Sequence, residues 1–369
     1  MRWCRAQEDF PTTGRARRKV MCWIRVKTGA RLHLGQVDLN GSLGRLYGGV
    51  GFGIQRPCVE VFARRYTEAH VEAGEDTPRV LGLTRAVLER YSLPGAWVVV
   101  ADSIPAHVGL GSSTQLALSV ALAVTRAYGL TPTVQEMARI TDREGSRSGV
   151  GVGVFERGGL VVDGGRPVDS GSQGLPPLPP VVCHMPFPRE WGIVVAIPKA
   201  RHDFSGEIER RAFLELPPMD EACAGALCRL VLLGLLPAVA ERNLYRFGRA
   251  VTAIQRKVGE HFSPVQGSVF FGPSACLVDF FERQPVAGVG QSSWGPTVYA
   301  FCEGWRLASL VKATRGFTGD GADVFGVRGS NRGARWDRVS ALPTTGNPCR
   351  SEPCATSATG HSFGPRLLE

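Results

Sequence analysis

Residues 105–114 read Pro-Ala-His-Val-Gly-Leu-Gly-Ser-Ser-Thr and connect a strand-like run, residues 97–102, to an apolar helix-like run, residues 115–128. The two glycines allow a left-handed backbone and the close approach of a ligand. The three hydroxyl residues put free N–H groups at a helix N-terminus, which attracts anions and above all phosphate. An ordinary glycine-rich turn has a similar composition, but a strand, a loop and a helix in register favour a phosphate site. The residues predicted to hold phosphate are Gly109, Leu110, Gly111, Ser112 and Ser113.

The order of residues in this loop resembles the phosphate loop of the GHMP superfamily, which is named after galactokinase, homoserine kinase, mevalonate kinase and phosphomevalonate kinase. Alternating strands and helices along the chain also indicate an α+β protein. The resemblance implies a two-domain GHMP-kinase-like fold. In such a fold an N-terminal α/β domain carries the phosphate loop, and the C-terminal domain is ferredoxin-like.

A second segment distinguishes between activities within that superfamily. Its kinases follow the loop with Ser-Gly-x-Asp, in which the aspartate lies next to the hydroxyl group that receives phosphate. Here residues 148–151 read Ser-Gly-Val-Gly, so that Gly151 replaces the acid. Glycine can neither accept a proton nor orient a nucleophile. A kinase would lose its chemistry, whereas a transferase that releases pyrophosphate could keep the same phosphate pocket.

This substitution resembles one branch of the superfamily, the β-ribofuranosylaminobenzene 5′-phosphate synthases. The segments that carry the resemblance are 28–41 with 46–53, the phosphate loop, 147–165 and 290–301. It implies a pentosyltransferase of methanopterin biosynthesis. Its small-molecule substrates would be 5-phosphoribosyl 1-pyrophosphate and 4-aminobenzoate or 4-hydroxybenzoate, and it would release CO2 and pyrophosphate. Two alternatives stay open: an ATP-dependent GHMP small-molecule kinase with an acid from elsewhere, and a ligand-binding relative without turnover.

Candidate roles follow from the resemblance and from side-chain chemistry. The catalytic candidates are Arg31, Arg147 and Ser148. An arginine can bind phosphate or carboxylate through two parallel hydrogen bonds. A surface ion pair for Arg31 and a structural hydrogen bond for His33 are the alternative interpretations. Trp294 could stack on the arene or pack in the core. Besides the phosphate loop, the substrate-binding candidates are His33, Gly149, Gln291, Ser292, Ser293 and Trp294.

The expected chemistry also calls for a divalent cation, Mg²⁺, at the departing pyrophosphate. Asp38 is the metal candidate, through a water molecule, but an aspartate ahead of Asn40-Gly41 is equally typical of a turn. Glu156 and Asp163 are weaker metal candidates. A basic cluster after residue 198 either closes over an anion or is a solvated loop; its members are Lys199, Arg201 and His202.

Composition limits the partners that we expect. The formal net charge of +10 suits anionic substrates, but the sequence holds no recognition motif for nucleic acid. The ten scattered cysteines form no Cys-x-x-Cys pair, which argues against zinc and disulfides and favours a cytoplasmic protein. The longest apolar run, residues 222–240, contains Arg229 and Pro237 and predicts a buried helix instead of a membrane span. A homodimer is left open.

The domain organisation follows from shifts in composition. We expect an appended extension over residues 1–20 and an N-terminal domain over residues 21–165. Residues 166–189, rich in proline and glycine, predict a linker or surface loop. A C-terminal domain is expected over residues 190–333. Residues 334–369 lose periodicity and predict a disordered tail.

Overall fold

A long antiparallel hairpin begins the N-terminal domain in the computed structural model, which describes residues 22–141, 147–168, 178–199 and 215–342 and the backbone of residues 361–362. Strand β1 (Trp23–Asp38) pairs with β2 (Arg45–Arg65), and register shifts interrupt the pairing near Ala30 and Leu34. Such irregularities bend a strand and re-aim its side chains. They lie on both sides of Arg31 and His33, two of the candidate site residues.

The remaining N-terminal elements build a mixed sheet around this hairpin. In chain order they are β3 (Ala69–Glu72), α1 (Thr77–Arg90), β4 (Ala96–Asp102), α2 (Ser112–Ala127), α3 (Val134–Ile140), α4 (Val150–Arg157), β5 (Leu160–Asp163), β6 (Arg166–Pro167) and β7 (Val181–Met185). The sheet order is β13-β12-β1-β2-β4-β3, where β12 is Arg335–Val339 and β13 is His361–Ser362. β2 also pairs with β5 and β6, and β5 pairs with β7. Helix α2 is buried along most of its length against this sheet.

The C-terminal domain is a four-stranded antiparallel sheet with helices. Its elements are β8 (Trp191–Pro198), α5 (Glu221–Ala240), α6 (Leu244–Gln266), α7 (Gly272–Glu282), β9 (Gly288–Gln291), β10 (Val298–Glu303), α8 (Leu307–Thr318) and β11 (Ala322–Val327). The strand order β11-β8-β10-β9 places the domain's fourth strand beside its first, then its third and second. This is the ferredoxin-like arrangement, so the expected two-domain α+β fold is confirmed.

Two of the expected segment boundaries need correction. The expected linker contains β7, which pairs with β5 because its alternating residues continue the N-terminal sheet. The expected tail contains β12, which pairs with the start of β1, so that Arg25 meets Asp337 through two hydrogen bonds of 2.9 and 2.8 Å. A five-residue strand of mostly polar residues carries little periodicity, and only its partner strand makes it recognisable. The expected extension, residues 1–20, lies outside the described residues.

Helix α5 corresponds to the apolar run and contains a π-helical stretch, Leu230–Leu235, just before Pro237. Proline lacks an N–H group, and a π-turn is one way in which a helix accommodates the missing bond. Among the described residues, this helix qualifies as a membrane-spanning helix by length and composition, and on no other ground. Of its most apolar 18-residue stretch, 33% is buried in the structure. It is thus buried on one face rather than throughout, and Leu232 and Leu233 are exposed.

A cluster of aromatic rings joins the two domains. Phe52 of β2 stacks on Phe187 with ring centroids 4.2 Å apart, and Phe187 contacts Trp191 at 5.3 Å and Phe247 at 5.6 Å. Phe301 of β10 lies 5.9 Å from Phe52. All five rings are buried. The contact between the domains is therefore a continuous piece of core.

We expect Phe187→Ala to lower the free energy of unfolding by about 3 to 5 kcal/mol, because it empties a buried ring site between the domains. Urea unfolding followed by tryptophan fluorescence measures this loss. Leu43→Ala is the control, since Leu43 is 84% exposed and its removal should change stability by less than about 0.5 kcal/mol. Equal stability of both variants would contradict the structural role of the cluster.

Candidate active site

A cleft of about 640 Å³ opens where β1, the phosphate loop and helix α6 meet. Its cationic side chains are those of Arg31, Arg147 and Arg166, and two histidines, His33 and His107, also line it. Among the described residues that line the cleft, none is aspartate or glutamate. A cleft with one sign of charge concentrates ions of the other sign. The site therefore suits a ligand with several negative charges.

The phosphate loop holds its shape through backbone contacts with Arg31. The Nη1 of Arg31 donates to the carbonyl of Gly109 at 2.6 Å, and its backbone N–H donates to the carbonyl of Leu110 at 3.1 Å. Gly111 precedes helix α2 with φ of +77°, and among the described residues no side chain caps this helix. The first N–H groups of a helix without a cap are available to an anion. Ser112, at the helix start, lines the cleft.

A loop of the C-terminal domain, residues 291–297, packs directly on the phosphate loop. The Oγ of Ser292 donates to the carbonyl of Gly109 at 2.7 Å and accepts the backbone N–H of His33 at 3.0 Å. The Oγ1 of Thr297 donates to the carbonyl of Val108 at 2.6 Å. A Cβ atom on Gly295 would lie 2.2 Å from the backbone nitrogen of Gly109. Only glycine allows this close contact. The packing between the loop at residues 291–297 and the phosphate loop, which we call the seam, therefore depends on Gly295.

A chain of hydrogen bonds links three side chains and leads from the wall of the cleft to the buried Asp163. His33 accepts the N–H of Gly35 on Nδ1, so that Nε2 carries the proton and donates to the Oγ of Ser148 at 3.2 Å. The hydroxyl of Ser148 donates to Asp163 Oδ2 at 3.0 Å. The carboxylate also accepts the N–H of Gly149 at 2.8 Å. The chain fixes the position of Ser148, whose Oγ also accepts the N–H of Val150 at 3.2 Å.

Burial shifts the pKa of both ends of this chain. It lowers the pKa of His33 to about 3, with a further contribution from the positive charge of Arg31. Burial also raises the pKa of Asp163, although hydrogen bonds from backbone N–H groups and from Ser148 act in the opposite direction. His33 is therefore neutral at physiological pH.

Gly151 lies inside helix α4 and against the start of α2. A Cβ atom at this position would lie 3.3 Å from Thr114 Cγ2, and the carbonyl of Gly151 accepts a hydrogen bond from Gln115 Nε2 at 2.9 Å. Thr114 itself lines the cleft. The position at which the kinases carry their acid is thus occupied by close helix packing beside the phosphate loop, without a carboxylate.

The apolar side chains that line the cleft come mainly from α6 and the residues that follow it, and we call this part the apolar end. Phe262 of α6 and Trp294 meet edge to face, with ring centroids 4.7 Å apart. Val258, Val269 and Phe270 complete this apolar end. A flat aromatic ligand could pack there against the two rings and the aliphatic side chains.

Most predicted site residues meet in the cleft. Those that line it are Arg31, His33, Gly109, Gly111, Ser112, Ser113, Arg147, Ser148, Gln291, Ser293 and Trp294. Three others do not line it: Leu110 is buried in the core, Gly149 is turned towards Pro179, and Ser292 is fully buried in the seam. These three support the site through backbone and packing and are not among the side chains that a ligand would touch.

Sequence reasoning missed several residues that line the cleft. They are Gly35, Gln36, His107, Thr114, Arg166, Gln255, Val258, Gly259, Phe262, Gln266, Val269, Phe270 and Gly295. His107 and Thr114 belong to the quoted loop and could have been included by position alone. The residues of α6 carry no signal, because an apolar helix face towards a cleft reads in the sequence like one towards a core.

The acidic metal candidates do not gather in the cleft. Asp38 Oδ1 accepts the N–H groups of Asn40 at 2.8 Å and Gly41 at 3.0 Å, which is the turn interpretation. Glu156 pairs with Arg157 at 3.3 Å, and Asp163 belongs to the buried chain. The described residues contain no group of three or more histidine, cysteine, aspartate or glutamate side chains that could hold a metal ion. They therefore do not fit a resident metal held by protein carboxylates.

The predicted basic cluster is only partly described. Lys199 pairs with Asp323 at 3.3 Å. Arg201 and His202 lie outside the described residues. For Lys199 the surface interpretation thus agrees with the structure.

Fold and site together define a GHMP-type protein that keeps the phosphate loop and lacks the kinase acid. A family model described as GHMP kinases N terminal domain matches residues 79–158. The crystal structure of a homoserine kinase from Cytophaga hutchinsonii is similar, with a TM-score of 0.58, 18% identity and coverage of 85% of this chain and 97% of that chain. At this identity the likeness concerns the fold alone.

Two curated relatives carry the same name, beta-ribofuranosylphenol 5′-phosphate synthase. The protein of Archaeoglobus fulgidus is 36% identical over 76% of this chain and 88% of its own length. The protein of Methanothermobacter thermautotrophicus is 32% identical over 84% of this chain and 97% of its own length. The chain belongs to this family of synthases.

We expect Gly295→Ala to weaken the binding of inorganic pyrophosphate at least tenfold, because the new methyl group would push the two loops apart. Overpacking of this kind costs about 1 to 3 kcal/mol, and calorimetry measures the affinity. Gly225→Ala is the control, since nothing lies within 4 Å of a Cβ atom there. Unchanged affinity in a folded Gly295→Ala variant would contradict the importance of the seam.

The buried neutral His33 makes stability dependent on pH. In the unfolded chain its pKa returns to the ordinary value of 6.5, so that only the unfolded state takes up a proton between pH 6.5 and about 3. Stability is therefore lost as the pH falls below 6.5. Between pH 7 and pH 5 this amounts to about 2 kcal/mol.

We expect His33→Gln to lose this component, so that its free energy of unfolding falls less between pH 7 and pH 5 than that of the wild type. Asp163 is present in both proteins, and its own titration cancels in the comparison. Urea unfolding at pH 7, 6 and 5 measures the two slopes. Identical slopes would show that His33 titrates normally in the folded protein.

Proposed function

We propose that this pentosyltransferase joins the ribosyl group of 5-phosphoribosyl 1-pyrophosphate to 4-hydroxybenzoate or 4-aminobenzoate, with release of CO2 and pyrophosphate. One observation carries the proposal. The cleft combines a phosphate loop and three arginines with an apolar aromatic end, and its described lining residues include no carboxylate. Such a site offers anion binding and ring packing, and its described lining holds no carboxylate of the kind that orients the receiving hydroxyl in the kinases.

The phosphoribosyl donor carries two anionic groups at opposite ends of its sugar. The phosphate loop and the start of α2 would hold the pyrophosphate, since helix N–H groups and backbone donors bind phosphate oxygens. Arg147 and Arg166 line the cleft as well and would bind the 5-phosphate through paired N–H donors. Two separate anion sites would orient the anomeric carbon towards the rest of the cleft.

The acceptor would lie at the apolar end. Phe262 and Trp294 present an edge-to-face pair against which a benzoate ring can pack. Gln266 also lines the cleft and provides a polar group that can hydrogen-bond a hydroxyl or amino substituent. The ring carbon that bears the carboxylate would then face the sugar.

The reaction needs no base to remove a proton from the ring carbon, because that carbon loses CO2 instead. The bond between the anomeric carbon and the pyrophosphate oxygen breaks, and its electron pair leaves with pyrophosphate. The ring carbon forms a new bond to the anomeric carbon on the opposite face, which inverts the configuration. The bond to the carboxylate then breaks, its electron pair restores the aromatic ring, and CO2 departs. The protein's task is to stabilise the negative charge that develops on pyrophosphate, which is electrostatic work for oriented donors.

Mg²⁺ belongs to the proposal as a companion of the substrate. Because the described cleft residues supply no carboxylate ligands, the ion would enter bound to the oxygens of the donor's pyrophosphate. There it would neutralise charge on the leaving group. The hydroxyl groups of Ser112 and Ser113 are the side chains of the loop that could contact such a complex.

An ATP-dependent kinase is the less favoured alternative. It would need a carboxylate near the acceptor hydroxyl, and the position in question is Gly151, packed against Thr114. The family membership of the chain also favours the synthase.

The acceptor, the pathway and the location are further parts of the proposal. The relatives are named for the phenol product, which favours 4-hydroxybenzoate over 4-aminobenzoate. The product would enter the synthesis of a methanopterin-type cofactor in the cytoplasm. The homodimer stays a prediction.

The test is to incubate the full chain with the phosphoribosyl donor, Mg²⁺ and either 4-hydroxybenzoate or 4-aminobenzoate labelled in the carboxyl group. We expect labelled CO2 that depends on the donor, with faster release from the hydroxy acid. Product mass spectrometry identifies the ribosyl arene phosphate. Donor-independent release, or no release from folded protein, would refute the synthase activity, and phosphate transfer from ATP would support the kinase.

Arg147→Ala adds a residue-level test in the same assay. We expect kcat/KM for the donor to fall about 10- to 100-fold, since a hydrogen bond to a charged group is worth about 1.5 to 3 kcal/mol. Arg157→Ala is the matched control, because Arg157 is exposed on α4 and pairs with Glu156. Equal activity of both variants would remove Arg147 from the site.

A further inference from the structure

His107 has a backbone conformation that few residues with a Cβ atom adopt. Its φ is +59°, in the left-handed region, which costs a residue with a Cβ atom free energy relative to glycine even though histidine and asparagine enter it more often than most. Of the five non-glycine residues with positive φ in the described chain, two line the cleft: His107 and Ser293. Strained conformations of this kind concentrate at functional sites, where the surrounding structure enforces them.

The packing of the imidazole does not explain this conformation. His107 is exposed, and in the described part of the chain its ring takes part in no hydrogen bond or ion pair. The residue therefore adds nothing to the core that would offset the strain. A glycine would fit the same backbone at no steric cost.

What the conformation achieves is the position of the ring. His107 lies two residues before Gly109, and its side chain lines the same cleft as Ser112 and Ser113. Arg31, the other large side chain beside this loop, is held by its hydrogen bond to the carbonyl of Gly109. The imidazole is thus an exposed N–H donor on the phosphate loop itself, and in the proposed reaction the negative charge of the departing pyrophosphate would develop beside it.

We propose that His107 is a catalytic residue that donates a hydrogen bond from its imidazole to the pyrophosphate as it leaves the anomeric carbon. The inference rests on the proposed function and adds a residue that contacts the leaving group. The bond between the anomeric carbon and oxygen breaks, both electrons stay on the pyrophosphate oxygen, and the imidazole N–H stabilises that charge. The proton stays on the ring, so no further reactant is needed.

The strain provides a test, because the two possible roles of His107 predict different changes in Tm on substitution. A catalytic role predicts no loss of Tm, and a structural role predicts a loss. His107→Gly relieves the left-handed strain and removes the donor. We expect kcat to fall about 100-fold, as on loss of one donor to a developing anion, while Tm stays the same or rises by about 2 °C. His107→Asn, which tolerates the left-handed region but has a shorter side chain, should show the same loss in kcat without a more flexible loop.

Ser92→Gly is the matched control. Ser92 also has a positive φ, of +51°, and is exposed at the end of α1 away from the cleft. It should change Tm in the same direction as His107→Gly and leave kcat unchanged. The comparison separates the effect of relieved strain from the effect of a lost donor.

The affinity for inorganic pyrophosphate, measured by calorimetry, is independent of the arene reaction. If the wild type binds pyrophosphate and both His107 variants bind it about tenfold more weakly, the inference holds even where another acceptor is used. Pyrophosphate binding and kcat within threefold of the wild type in both variants would overturn it. A loss of Tm in parallel with activity would also overturn it, since that result assigns His107 to the fold.

Discussion

The Oγ of Ser292 accepts the backbone N–H of His33 and donates to the carbonyl of Gly109, so that one side chain of the C-terminal domain contacts both β1 and the phosphate loop. Thr297 adds a second hydrogen bond to the loop, and Gly295 permits backbone contact without a side chain between. The aromatic cluster around Phe187 holds the same two domains together elsewhere. The cleft lies beside these contacts. Its width depends on how closely the loop at residues 291–297 packs on the phosphate loop, and small residues in both loops allow this close packing.

The electrostatics of the site depend on keeping its interior neutral while its surface is cationic. Burial lowers the pKa of His33, so that this residue, two positions from Arg31 on β1, adds no second positive charge. The hydrogen-bonded chain through Ser148 leads to Asp163, which is enclosed by backbone N–H groups behind the cleft. Its carboxylate therefore supports the architecture and does not face a ligand. Arg31, Arg147 and Arg166 are the cationic side chains that line the cleft, which suits an anionic ligand.

The same architecture explains how a phosphate loop can serve a transferase. In a kinase the loop holds the phosphates of a nucleotide, and an acid positions the receiving hydroxyl. Here Gly151 lets helix α4 pack against Thr114, and Phe262 and Trp294 line the same cleft as the loop. Exchanging one acid for close packing and an aromatic wall changes which second substrate fits, while the anion site stays in place. The imidazole of His107 lines the same cleft and, in the proposed reaction, would add a hydrogen-bond donor at the leaving group.

The phosphate loop, the missing acid and most of the secondary structure were determined by the sequence alone, because they depend on contacts between near neighbours in the chain. The turn at Asp38 is local in the same sense. Tertiary structure decided the rest. The strand at residues 335–339 forms only because the edge of β1 is there to pair with it, and the apolar end of the cleft requires α6 to approach the loop at residues 291–297. Neither leaves a periodic signal in the sequence, since each depends on a partner outside its own segment, and the partner of the strand lies more than 300 positions earlier in the chain.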